Sequence, residues 1–138
     1  MRIFLDANIL FSAAKSDGAV RRLLGLLLEA GHDCCVDGYV VEEARRNLAA
    51  KSPGSLSVLE QLLARMHSAG AQSAAAVLEA SLDLHEKDRP VLAAAIRHRC
   101  AALVTGDRTH FGHLYGRTVQ GTTIHSPRSL AQAVLGSR

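Results

Sequence analysis

The sequence predicts a three-layer α/β/α sandwich with a central parallel sheet of about five short strands, and three observations lead there. Short apolar runs of four or five residues alternate with helical patterns along the chain. The helical patterns carry their apolar residues on one stripe, so each helix needs a surface to cover. Linkers, internal repeats and low-complexity tracts are absent, so residues 1–138 read as a single domain, long enough to bury a real core.

The elements follow in order. Arg2-Ile-Phe-Leu-Asp6 reads as a short buried strand. A helix from about Asp17 sets Val20, Leu23, Leu24, Leu27 and Leu28 at i, i+3, i+4, i+7 and i+8, and Gly31 stands where a helix C-cap is expected. Cys34-Cys35-Val36 is a second strand. Asp37 can cap a helix running to about Lys51, before Pro53. Leu56, Leu59, Leu62, Leu63 and Met66 mark a further helix ending at Gly70, with another helical stretch over Ala74–Ala80. Ser81-Leu-Asp-Leu-His85 alternates as a strand does. A helix from about Asp88 to Arg99 has Pro90 in its first turn, where a missing N–H is harmless. Ala101-Ala-Leu-Val-Thr105 and Thr122-Thr-Ile-His125 supply the last strands, and Ser126-Pro127 opens a C-terminal helix. Strands so short, separated by helices, form a parallel sheet covered on both faces with right-handed crossovers.

Bulk properties exclude several classes. Apolar residues make up 48% and charged residues 21%, the balance of a soluble globular chain. The Leu23–Leu28 run is far too short to cross a bilayer, which takes about 20 residues. Met1-Arg2 leads straight into a strand, so no signal peptide is read there. Three cysteines, two of them adjacent, make neither a disulfide framework nor a zinc-spaced set, which points to a reducing cytoplasm. A net charge of +3 is compatible with a polyanionic partner and with an ordinary basic surface. With no Trp, three Phe and two Tyr, base stacking is not the expected grip on a nucleic acid. The glycine patterns of P-loop and Rossmann nucleotide sites are missing.

Ligands of open α/β sheets gather beyond the carboxyl ends of the strands. Acids concentrate at those places. Asp6 follows the first strand, with Asn8 two residues on; Glu42 and Glu43 sit in the second turn of the helix after the second strand; His85-Glu86-Lys87-Asp88 follows the third; and Thr105-Gly106-Asp107 follows the fourth. Singly, most have plain structural explanations. Asp88 reads as an N-cap, Glu43 as a solvated residue paired with Arg46, and Asp107 as a turn residue. Asp6 does not, because Ile3-Phe4-Leu5 before it and Ala7 after it put an ionised carboxylate where water is scarce. Together the acids form a set whose mutual repulsion is relieved by positive charge, and carboxylate oxygens suit Mg²⁺ or Mn²⁺. Paired cations about 4 Å apart are a recurring device for displacement at phosphorus. His110 and His113, three apart, could touch a metal, but a loop and packing role is the preferred reading for them.

The same residues resemble a known family. Ile3-Phe-Leu-Asp-Ala-Asn-Ile-Leu10 is similar to the N-terminal signature of PIN-domain proteins, Tyr39-Val-Val-Glu-Glu-Ala-Arg45 to their second motif, Lys87-Asp-Arg-Pro-Val-Leu-Ala-Ala-Ala95 to the third and Leu103-Val-Thr-Gly-Asp107 to the fourth. The resemblance implies a PIN fold, metal-dependent endoribonuclease activity and frequent homodimerisation. It also implies, as in VapC-like toxins, a type II toxin–antitoxin pair in which a small antitoxin protein inhibits the enzyme. Carried over by motif, Asp6, Glu43, Asp88 and Asp107 are the catalytic acids, with Asp6, Asp88 and Asp107 holding the metal. Asn8, Thr105 and Arg108 are supporting or substrate residues. Between Glu42 and Glu43, the helical wheel and the motif both favour Glu43. Family members often carry a further Asp shortly after the fourth-motif acid, where this chain has Arg108-Thr109-His110-Phe111, which implies a lighter metal site.

On this reading one or two Mg²⁺ or Mn²⁺ ions and a water activated among the acids cleave RNA. Arg45, Arg46, Arg89, Arg108 and Arg117 are candidates for flanking phosphates. A different class, a non-catalytic PIN-like module that binds RNA or protein, rests on the altered segment after Asp107. A phosphatase of the haloacid-dehalogenase type requires a second Asp where Asn8 stands.

Overall fold

A computed structural model describes residues 1–69 and 78–136. Six strands form one sheet: β1 (Arg2–Leu5), β2 (Asp33–Asp37), β3 (His67–Ala69), β4 (Ala102–Val104), β5 (Thr118–Val119) and β6 (Thr122–His125), in spatial order β3-β2-β1-β4-β6-β5. Every pairing is parallel except β5 with β6. Among the described residues the helices are α1 (Ala7–Lys15), α2 (Ala19–Glu29), α3 (Gly38–Lys51), α4 (Leu56–Leu63), α5 (Arg89–Arg97), α6 (Arg108–Phe111) and α7 (Pro127–Val134). Helix α1 packs on α2, α3 and α4, and α5 lies against β4; right-handed crossovers put α1 to α4 on one face of such a sheet and α5 on the other.

β1 lies at the centre, with Ile3 in register with Cys34 on one side and Ala102 on the other. Ile3, Phe4 and Leu5 are fully buried, which is why this strand reads as a continuous apolar run instead of an alternating one. The chain winds outward from β1 to β2 and β3, then returns to β4 and winds the other way. The switch point therefore falls between β1 and β4, beside Asp6 and Thr105.

Local chemistry explains the helix ends. Asp37 caps α3 by accepting the Val40 N–H at 3.1 Å. Gly31, with φ +86°, turns the chain out of α2, and the His32 N–H closes on the Leu27 carbonyl at 3.0 Å. Ser126 and Ser129 form a reciprocal capping box on α7, with Pro at the first helical position. Gln120 and Gly121 both have positive φ and join β5 to β6 in a two-residue hairpin, the geometry of a type I′ turn.

The structure departs from the sequence reading at several elements. Ser81–His85 is not a strand. Only Leu84 of the five is buried, and the backbone closes in local turns, Leu82 N–H to Glu79 carbonyl and Leu84 N–H to Leu82 carbonyl. The Arg89 guanidinium donates to the carbonyls of Leu82 (3.0 Å) and Glu79 (2.7 Å), and His113 Nε2 lies 2.6 Å from the Asp83 carbonyl, so side chains occupy acceptors a ladder needs. The outer parallel strand is instead β3, in a stretch expected to be helical to Gly70; α4 ends at Leu63. Helix α1 was hidden because Asp6 both ends β1 and caps α1, leaving no loop between them. The sheet thus has six strands and one antiparallel edge. Gly70 and most of the expected helical stretch over 74–80 lie outside the described residues.

Replacing Asp37 with Ala removes the α3 cap and is expected to lower stability by about 1 kcal/mol in urea unfolding, with Asp37→Asn retaining most of it.

Candidate active site

Asp6 leaves β1 at the sheet's centre and is only 5% exposed. Its Oδ1 accepts the Ala7 N–H at 2.7 Å, and its Oδ2 accepts the Thr105 hydroxyl at 2.8 Å and the Asn8 amide at 3.2 Å. Thr105 is fully buried at the end of β4. Asn8 spans the switch point, donating to Thr105 Oγ1 at 3.3 Å while its Oδ1 accepts the Gly106 N–H at 2.7 Å. Thr105 Oγ1 also accepts the Asp107 N–H at 3.2 Å, so the first and fourth acid segments are tied through one hydroxyl. The Tyr115 hydroxyl donates to the Thr105 carbonyl at 2.8 Å.

Burial pushes the Asp6 carboxyl above its ordinary range, the hydrogen bonds from Thr105 and Ala7 oppose that, and the charges of Glu43 and Asp88 add to it. The Tyr39 phenol is raised first by burial and then by Glu43, Asp88 and Asp6, so it faces the same negative field. Its hydroxyl donates to the Lys87 carbonyl at 3.0 Å, linking α3 to the 3-10 turn Glu86–Asp88. Three acids from β1, α3 and that turn therefore share one field.

Asp88 is 8% exposed. Its Oδ2 lies 2.6 Å from His110 Nδ1, which in turn lies 3.0 Å from Asp107 Oδ2. Asp88 and Asp107 thus flank one imidazole on α6. Asp107 also caps that short helix by accepting the His110 N–H at 3.1 Å. All four predicted acids are brought to the carboxyl edge of β1 and β4, joined by contacts or by shared field.

The two glutamates of α3 separate. Half-buried Glu43 lines a groove of about 200 Å³ with Asn8, Phe11, Asn47 and Lys51. Exposed Glu42 lines a different hollow of about 550 Å³ with Arg45 and Glu60. That larger hollow, and another of about 530 Å³ beside Arg22 and Leu135, contain none of the four chosen acids, so volume alone does not mark the site.

Several expectations are corrected. Arg45 is held by Glu60 through two 2.9 Å hydrogen bonds, and Arg89 by loop carbonyls, so neither is free for phosphate. Arg108 is exposed at the start of α6, and its charge reaches Tyr115. His110 is not a packing residue: it stands inside the acid cluster. His85, unassigned from sequence, stacks on it with ring centroids 4.6 Å apart. Spacing carried a usable signal in both cases. His110 lies three residues after Asp107 and His85 three before Asp88, separations that place side chains on one face of a helical turn.

An acid-lined crevice at the switch point of a doubly wound sheet defines the class: an α/β protein with an acidic cluster at the carboxyl edge of its strands. The PIN domain sequence pattern matches residues 2–109, and the chain belongs to the PIN domain family. Among solved structures it is similar to the crystal structure of VapBC2 from Rickettsia felis bound to a DNA fragment from their promoter. The TM-score is 0.65 at 16% identity, over 91% of this chain and 98% of that one. A comparison with curated protein sequences gives no significant match.

Because burial raises the Asp6 carboxyl, its ionised form is disfavoured in the fold relative to the unfolded chain. The penalty is absent below the ordinary carboxylate range, grows as pH rises through it, and is complete above the raised value. Metal-free Asp6→Asn should therefore melt higher than the parent at pH 7, with the gap closing as pH falls towards 4 in a thermal-denaturation series.

Proposed function

We propose that this chain is a metal-dependent endoribonuclease acting through Asp6, Glu43, Asp88 and Asp107. The observation that carries the reading is the convergence of these acids at the β1–β4 switch point, with a buried Asp88 oxygen that lacks an aligned hydrogen bond. Carboxylates that repel one another, one of them with a buried oxygen held only by an imidazole contact, fit a divalent cation, Mg²⁺ or Mn²⁺. Such an ion supplies the positive charge that eases ionisation of water near neutral pH and offsets charge building on a phosphate.

The chain's own residues do the rest. Asp6, Asp88 and Asp107 hold the cation. Asn8 and Thr105 fix the rotamer of Asp6 through the hydrogen bonds described above. Glu43, half-buried at the groove wall, accepts the proton of the attacking water at its carboxylate. The groove beside it receives the RNA backbone. Lys51 lines it, and the ammonium groups of Lys15 and Lys51 lie 5.5 and 5.7 Å from the Phe11 ring centroid, where they can meet phosphates. Arg108, exposed beside Asp107, is a further phosphate contact.

The reading treats residues 1–138 as one domain working in the cytoplasm as a homodimer. Family membership and the likeness to VapBC2 support its being the toxin of a type II toxin–antitoxin pair, restrained by a small antitoxin. Among the described residues no helix is long and apolar enough to cross a membrane.

Purified protein should cut RNA with Mn²⁺ or Mg²⁺ and stop when a chelator is in excess. Asp6→Asn and Asp88→Asn should each slow cleavage by about 100-fold or more while leaving circular dichroism unchanged. Undiminished cutting in excess chelator refutes the proposal. Glu43→Gln should slow cleavage by a similar factor, whereas Glu42→Gln should stay within a few-fold of the parent; the reverse order would move the proton acceptor to Glu42.

A further inference from the structure

The site holds two imidazoles that a purely oxygen-lined cation site does not need. One ligand atom from each of His85, Asp88 and His110 lies within 4.8 Å of the other two. The His85 and His110 rings stack with planes 14° from parallel. His110 Nδ1 and Asp88 Oδ2 are 2.6 Å apart, yet both are buried and neither makes an aligned hydrogen bond. Buried polar atoms in this state are costly, and an ion accepting their lone pairs removes the cost. His85 Nδ1 accepts the Lys87 N–H at 3.2 Å, which fixes the ring at the mouth of the cluster and leaves its other nitrogen for a ligand.

We propose that His85, Asp88 and His110 form a mixed nitrogen–oxygen cation site that takes a first-row transition dication, such as Mn²⁺, Co²⁺ or Zn²⁺, in preference to Mg²⁺. Imidazole nitrogen favours transition metals, whereas Mg²⁺ seeks an octahedron of oxygens and gives up its waters reluctantly. The inference deepens the functional reading and rests on it in one respect: Asp88 belongs both to this triad and to the carboxylates around Asp6. It also gives a role to His110, whose Nδ1 lies 3.0 Å from Asp107 Oδ2.

The test uses the full chain, stripped with chelator and titrated with Co²⁺ alone, followed by visible absorption. A nitrogen-containing site should give a band that saturates at one Co²⁺ per chain and survives Mg²⁺ at a hundredfold excess. His85→Ala and His110→Ala should each weaken Co²⁺ binding by about tenfold or more. His85 is exposed, so its replacement leaves the core intact, and a loss there is not a folding failure. Asp6→Asn should keep the band while losing RNA cleavage, which separates this site from the nuclease reading. A persistent band with no RNA cleavage in the parent would defeat that reading alone. No Co²⁺ band, displacement by equimolar Mg²⁺, or unchanged binding in both histidine variants overturns the triad.

Discussion

A carboxylate at the end of a fully buried strand is the constraint on which the rest of this molecule depends. Asp6 follows three core residues, and ionising it there costs free energy that water cannot return. The fold answers with donors at fixed places: the first N–H of α1, the hydroxyl of Thr105 and the amide of Asn8. Each exists only because of the topology. α1 starts at once after β1, so its free N–H groups point back at the carboxylate. β4 lies beside β1 in parallel register, so the residue after Val104 arrives level with Asp6. Packing and chemistry are therefore set by the same strand pairing.

The donors offset only part of the cost, because Glu43 and Asp88 add repulsion. Local and global electrostatics run in opposite directions here. The whole chain carries a net charge of +3, yet the switch point is strongly acidic. On the proposed reading a polyanion would meet repulsion at this crevice, and a bound cation would reverse the local sign and so couple substrate approach to site assembly.

The path of residues 79–88 shows how Asp88 is delivered without a strand beneath it. Arg89 gathers the Glu79 and Leu82 carbonyls, Tyr39 holds the Lys87 carbonyl, and a 3-10 turn carries the acid inward. Alternation in Ser81–His85 mimicked a strand because polar and apolar residues alternate in a loop laid along a core as well as in a sheet. β3 was illegible for the converse reason: three residues of ordinary polarity, His67-Ser68-Ala69, pair through backbone groups that leave no mark on side-chain pattern. The burial of Asp6 was legible, since a buried strand ending in a carboxylate is rare without a reason. The arrangement of Arg45 and Arg89 was not, because their partners lie 15 and 7–10 residues away and depend on loop geometry. His110 was legible as a residue able to touch a metal and spaced to meet Asp107, but nothing in sequence shows that Asp88 closes on it from the other side.

The central claim is that acids remote along the chain meet to hold a cation. Anomalous diffraction from crystals soaked in Mn²⁺ tests it most directly. The account predicts a peak about 2.0–2.4 Å from an Asp88 oxygen, within the crevice bounded by Asp6, Asp107 and His110. Anomalous signal confined to surface carboxylates elsewhere, with that crevice empty at saturating Mn²⁺, contradicts it.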